Sequence, residues 1–128
     1  MAETKTSLRC LVADDEPQIG ALLRQALAQH GYETDVVGDG EAALRKLAER
    51  DYSLIVSDVM MPHKTGVEVV LEIRARGLVI PTVLMSSYLS EEVLQSCSKL
   101  ENIAFLQKPF SLVDLRRAID RAIAPIRC

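Results

Sequence analysis

The 128-residue chain carries 15 Lys and Arg against 18 Asp and Glu, has a net charge of −3 with His neutral, and is 48% hydrophobic and 26% charged. One domain of this length buries roughly two thirds of its unfolded surface, so its core needs no disulfide or metal staple, and the apolar content excludes a disordered chain. The acidic balance argues against direct nucleic-acid binding; with no apolar run of about 18 residues and a polar Met1–Ser7, the expectation is a cytoplasmic protein with no membrane segment.

Apolar runs of strand length alternate with amphipathic stretches of helix length five times. Leu8–Ala13 reads as the first strand and Pro17–Gln29 as the first helix, with Ile19, Leu22, Leu23, Ala26 and Leu27 at helical spacing and His30-Gly31 as its glycine stop. Glu33–Val37 alternates as a second strand, and Gly38-Asp39-Gly40 opens a helix running through Glu49. Leu54–Val56, continuing to Asp58, is the third strand; Met61–Gly66 is a loop, and the Val67–Arg76 helix is closed by Gly77. Thr82–Met85 follows Pro81 as the fourth strand, and Ser90-Glu91-Glu92 starts a helix with Val93, Leu94, Cys97 and Leu100 on one face. Ala104–Gln107 is the fifth strand and Ser111–Ala124 the fifth helix. Cys10, Cys97 and Cys128 are odd in number, far apart and without a Cys-x-x-Cys or His pairing. Cys10 and Cys97 therefore read as small core residues in a reducing compartment, and Cys128 as a terminal thiol with no assigned role.

The first, third and fourth strands are nearly continuous aliphatic runs, as parallel strands covered on both faces are. The expected fold is α/β: a doubly wound, five-stranded parallel sheet, (βα)5 and flavodoxin-like, with strand order 2-1-3-4-5. It should occupy residues 8–124, leaving 1–7 and 125–128 as tails.

In such a sheet the functional crevice lies outside the carboxyl ends of the strands. Those ends carry Asp14 and Asp15, Asp58, Ser86 and Lys108. Each has a bland reading: Asp15 as the N-cap of the first helix ahead of Pro17, Ser86 as a strand-end hydroxyl, Lys108 as a solvated charge. Together they form a constellation, because three carboxylates at one sheet edge repel one another unless a cation sits among them. Hard oxygen ligands in a partly open site suit Mg²⁺, and the lysine supplies a point charge for an anion.

The ordered set Leu11-Val12-Ala13-Asp14-Asp15-Glu16-Pro17, Ser57-Asp58-Val59-Met60-Met61-Pro62, Pro81-Thr82-Val83-Leu84-Met85-Ser86-Ser87-Tyr88 and Phe105-Leu106-Gln107-Lys108-Pro109-Phe110 resembles the receiver domain of bacterial two-component response regulators, over roughly residues 7 to 124. The resemblance implies Asp58 as phosphoacceptor, served by a sensor histidine kinase or a histidine phosphotransfer protein. It implies Asp15 as a direct Mg²⁺ ligand, Asp14 acting through water, and the Met60 carbonyl completing the metal shell. Ser86 would then bond the phosphoryl oxygens, Lys108 would pair with them, and Phe105 would be the switch aromatic. Lys108-Pro109 resembles the family's cis peptide. A downstream protein would meet the face formed by the fourth helix, fifth strand and fifth helix. There the chain departs from the family: Glu101-Asn102 replaces the frequent Gly-Ala, and Ile103 and Ala104 stand where acids often precede the switch aromatic. Arg116, Arg117 and Arg121 then read either as a solvated face or as contacts for an acidic partner, and a charge-paired dimer is not expected.

Three rivals compete. Gly38-Asp39-Gly40-Glu41-Ala42-Ala43 has the G-x-G-x-x-A form of a dinucleotide fingerprint, but follows the second strand instead of the first. A phosphatase with an aspartyl nucleophile would want an acid at position 60, where Met60 stands, so the chain does not read as an enzyme beyond its own phosphoryl transfer and dephosphorylation. A phosphorylation-independent binding module would be expected to lack one of the five site residues, and none is missing.

Overall fold

In a computed structural model of the chain, residues 8–124 are described; the expected tails, 1–7 and 125–128, and the Cys128 thiol lie outside the described residues. Ten elements alternate: β1 (Leu8–Ala13), α1 (Pro17–Ala28), β2 (Tyr32–Val37), α2 (Gly40–Glu49), β3 (Leu54–Asp58), α3 (Gly66–Ala75), β4 (Thr82–Ser86), α4 (Glu91–Ser96), β5 (Ile103–Gln107) and α5 (Leu112–Ile123). The strands form one parallel sheet in the order β2-β1-β3-β4-β5, as expected.

The alternation of side chains along a strand explains why the central strands are aliphatic throughout. Cys10 and Val12 of β1, Leu54 and Val56 of β3, and Val83 and Met85 of β4 pack with Leu23 and Leu27 of α1 and with Leu115, Ala118, Ile119 and Ala122 of α5. The intervening Leu11, Ala13 and Ile55 pack on the other face with Ala43 and Leu47 of α2 and Val69 and Ile73 of α3. A third cluster joins Val59, Val70, Leu84 and Cys97, with Phe105 against it. Each such leucine, taken from water to full burial, contributes about 1.5–3 kcal/mol. Cys10 and Cys97 are core thiols, and burial raises the pKa of both.

The local signals behave as their chemistry requires. Asp39, Thr65, Ser90 and Ser111 cap α2, α3, α4 and α5 through their side chains, with full capping boxes at Thr65–Glu68 and Ser111–Asp114. Gly31 and Gly77 end α1 and α3 at φ +88°, a left-handed conformation that glycine adopts without penalty. Two expectations need correction. Glu16, not Asp15, is the N-cap residue of α1, and it makes no side-chain cap; the Glu16 N–H bonds Asp14 Oδ1 at 2.9 Å instead. The helix α4 stops at Ser96, so the expected stripe is broken: Leu94 is exposed, while Cys97 and Leu100 belong to the turn that follows. With so short a helix, only Val93, Cys97 and the half-buried Leu100 reach the core.

Beyond the expected elements, the fold carries two polar devices. Asn102, at φ 61°, donates its side-chain amide to the Ala122 and Ala124 carbonyls at 2.8 and 3.0 Å, tying the end of α5 to the start of β5. At the sheet edge, Asp35 of β2 accepts the Tyr52 hydroxyl at 2.7 Å and pairs with Arg50 at 3.3 Å and Arg9 at 3.9 Å. Burial works to raise the Asp35 pKa, but the Tyr52 bond and the cations Arg50, Arg9 and Lys46 outweigh it and hold the carboxyl below its usual range. A carboxyl depressed in the folded state stabilises above its unfolded pKa of about 3.9, and that stability is lost as pH falls through the folded value. Asp35→Asn should therefore cost about 1 kcal/mol at neutral pH, and the gap to wild type should close as pH falls below about 4 in urea unfolding. A gap that persists unchanged into acid would assign the loss to packing instead.

Candidate functional site

The parallel sheet brings every strand-end residue named above to one edge. Asp14 follows β1, with its N–H on the Val37 carbonyl at 3.0 Å; Asp58 and Ser86 are the last residues of β3 and β4; Lys108 follows β5, with its N–H on the Ser86 carbonyl at 2.8 Å. Backbone pairing thus carries four chemistry-bearing residues from different parts of the chain to one place. The Lys108-Pro109 bond is cis, as the sequence resemblance implies.

Asp14 and Asp58 are buried, Asp15 is exposed beside them, and carboxylate oxygens of all three lie within 4.8 Å of one another. Lys108 answers this charge: its Nζ donates to Asp58 Oδ2 at 2.9 Å and Asp14 Oδ2 at 3.1 Å, with Glu16 Oε1 at 3.7 Å. Burial alone would lower the lysine pKa, but its bonds to Asp58 and Asp14 and their charges raise it instead, so the ammonium is held charged. Asp58 Oδ1 accepts the Met60 N–H at 3.2 Å. The carboxylate is thus oriented from both sides.

Such a donor set fits a divalent cation. Three carboxylates offer hard oxygens on an open rim, which is what a Mg²⁺ that retains several waters takes. Calcium would want more oxygen ligands, and a zinc centre nitrogen or sulfur donors.

Two glycines mark close approaches near this edge. A Cβ on Gly66, at the start of α3, would lie 2.4 Å from the Asp58 carbonyl oxygen, so only glycine lets α3 begin so close to the end of β3. Similarly, a Cβ on Gly40 would meet the Lys64 carbonyl oxygen at 2.4 Å. The glycine of the dinucleotide-like motif therefore serves packing between α2 and the loop ahead of α3, and Asp39 caps the helix below it.

Ser86 is placed at the site and occupied elsewhere: its Oγ donates to the Tyr88 carbonyl at 2.8 Å and accepts the Tyr88 N–H at 3.1 Å. Phe105 is half-buried against Val59, Val70, Leu84 and Cys97, on the side of the sheet that faces α3 and α4. Met60 and Tyr88 flank the rim and are exposed, at 66% and 77%. Sequence reasoning missed Glu16 as a third partner of Lys108; its position two residues after Asp14, beyond the tight turn that Asp14 caps, was the available signal.

Comparison with known proteins agrees with this geometry. The response regulator receiver domain family matches residues 10–120. The chain is 32% identical over 127 residues to the transcriptional regulatory protein RprY of Bacteroides fragilis, covering 99% of this chain and 54% of that protein. It is 34% identical over 121 residues to TcrA of Mycobacterium tuberculosis, covering 91% and 47%. The chain thus spans about half the length of these regulators. Among solved structures, the chemotaxis protein CheY4 of Vibrio cholerae superposes with a TM-score of 0.83 at 28% identity, covering 92% of this chain and all of that one. The response regulator TrrA of Thermotoga maritima, solved in complex with Mg²⁺-BeF, superposes at 0.79 with 32% identity, covering 91% and 99%. With the family match across most of its length and the acidic cluster, serine and lysine at the edge where that fold carries its chemistry, the chain belongs to the response regulator receiver domain family.

Proposed function

We propose that Asp58 is the phosphoacceptor of this receiver, taking a phosphoryl group from a phosphohistidine on a sensor histidine kinase or a histidine phosphotransfer protein. The observation that carries this reading is the Lys108 ammonium shared between Asp58 and Asp14, with Asp15 alongside. A carboxylate in a structural ion pair needs no second and third acid at its side.

The step is an in-line displacement: an Asp58 carboxylate oxygen forms a bond to phosphorus as the bond to the donor imidazole nitrogen breaks. Asp14, Asp15, Asp58 and the Met60 carbonyl are the groups that would hold Mg²⁺, which when bound supplies neutralisation of the equatorial phosphoryl oxygens. Lys108, already beside Asp58, pairs with those same oxygens. Ser86 reaches the new anion by giving up the Tyr88 carbonyl, and Phe105 turns into the space so released; this population shift is the output. A concavity of about 320 Å³, lined by Ile19, Leu22, Ser87, Pro109 and Phe110 beside Lys108, offers a docking surface for the phosphodonor protein. A binding module independent of phosphorylation is the weaker reading, because all five site residues are retained in working register.

Asp58→Asn should abolish Mg²⁺-dependent phosphate uptake from acetyl phosphate while leaving circular dichroism unchanged, since the amide keeps the shape but is no nucleophile. Acid-labile phosphate retained on the variant would refute the assignment. Divalent affinity should fall tenfold or more, roughly, in Asp15→Ala and less in Asp14→Ala; equal losses would mean the direct and water-mediated roles are wrongly assigned.

The lifetime of the acyl phosphate depends on a water held in line. Met60 cannot hydrogen-bond that water, and Tyr88 stands at the rim, so the phosphorylated protein should persist for minutes. Met60→Asn should shorten that lifetime, and a wild-type half-life of seconds would contradict the argument.

A further inference from the structure

Of the three methionines among the described residues, Met61 and Met85 are buried, at 9% and 0% exposure, whereas Met60 stands open at 66%. The Met60 thioether is therefore the soft, oxidisable sulfur that solvent reaches most freely. The described thiols do not compete with it for an oxidant. Cys10 and Cys97 are buried, and burial raises the pKa of both, which keeps them as unreactive thiols instead of thiolates. Met60 also has a fixed relation to the reactive carboxylate: it follows Asp58 by two residues, and its N–H bonds Asp58 Oδ1 at 3.2 Å. The intervening Val59 is buried with its N–H on the Met85 carbonyl at 2.8 Å, so β4 holds the backbone that carries Met60.

We propose that Met60 is an oxidation site through which hydrogen peroxide shortens the life of the acyl phosphate on Asp58, an inference that rests on the phosphoacceptor reading above. The thioether sulfur gives a lone pair to one peroxide oxygen. The S–O bond forms as the O–O bond breaks, the proton on the transferred oxygen passes to the departing hydroxide, and water leaves; the sulfur is oxidised to a sulfoxide and the peroxide is reduced. The product changes what the rim offers to water. A thioether is a weak acceptor, but a sulfoxide oxygen is a strong one, attached to the δ atom as the amide oxygen of glutamine is. Oxidised Met60 thus holds the attacking water that the thioether leaves unheld. Methionine sulfoxide reductases return the thioether, the oxygen leaving as water while a dithiol becomes a disulfide, so the change is reversible.

The test exposes the full chain to hydrogen peroxide at neutral pH and then to dithiothreitol, which reverses the oxidation of thiols. One portion goes to peptide mass spectrometry, and the other is loaded with acetyl phosphate and Mg²⁺ to follow phosphoryl loss. Met60 should gain one oxygen well before Met61 or Met85. The half-life of the acyl phosphate should fall roughly two- to tenfold, the worth of one hydrogen bond to the attacking water, and sulfoxide reductase should restore it. Met60→Leu should show the same half-life before and after peroxide. Met60→Gln, with its acceptor on the δ atom, should have the short half-life without any oxidant. The side chain is exposed, and circular dichroism verifies that both variants fold. Oxidation of Met61 or Met85 as fast as Met60, an unchanged or longer half-life in oxidised wild type, or an equal response in Met60→Leu would each overturn the proposal. A chain that takes up no phosphate before oxidation would overturn the phosphoacceptor reading, and this inference with it.

Discussion

Everything at the carboxyl edge depends on one cation. Asp14 and Asp58 are buried at the ends of neighbouring strands, Asp15 and Glu16 stand close by, and like charges at such distances repel by an amount on the order of a few kcal/mol in a partly buried setting. Lys108 reaches three of the four acids, with Nζ between 2.9 and 3.7 Å from Asp58, Asp14 and Glu16. Its placement is a matter of sheet register: β5 pairs with β4, and the Lys108 N–H closes that ladder on the Ser86 carbonyl. The lysine therefore arrives from the far edge strand already aimed at the acids of β1 and β3.

That dependence connects the site to the rest of the molecule. Ser86 carries the backbone carbonyl that anchors Lys108 and the hydroxyl that holds Tyr88, so the end of β4 is tied both to the lysine beside Asp58 and to the loop that follows. Phe105 packs on Leu84 and Cys97 from β5, and the groove it lines continues to the arginines of α5. Asn102 fixes the far end of the same strand and helix. The acids, β4, β5 and α5 are thus linked by direct contacts.

The sequence showed the parts whose signals are local or periodic. Continuous aliphatic runs identified the central strands, and reading only the residues at their carboxyl ends picked out Asp14, Asp15, Asp58, Ser86 and Lys108. Three features lay beyond it. The short α4 escaped because Leu94, Cys97 and Leu100 keep helical spacing while the core has room for only part of the stripe. Glu16 escaped because its reach to Lys108 exists only once β1 and β5 share a sheet. Asn102 was visible as part of a departure from the family's Gly-Ala pair, but its amide bonds to the end of α5 require knowing that the helix returns to β5. The arginines of α5 were legible as charges, and the strand without acids opposite them was visible in Ile103 and Ala104; the groove between the two is tertiary.

The central claim is that the acyl phosphate forms on Asp58 and nowhere else. Borohydride reduces an aspartyl phosphate to homoserine, so treating the chain with acetyl phosphate and Mg²⁺, reducing it and sequencing its peptides by mass spectrometry locates the modification. The account predicts homoserine at position 58 alone, and none when Mg²⁺ is chelated. Homoserine at position 14 or 15, or at 58 with equal yield in the absence of metal, would contradict it.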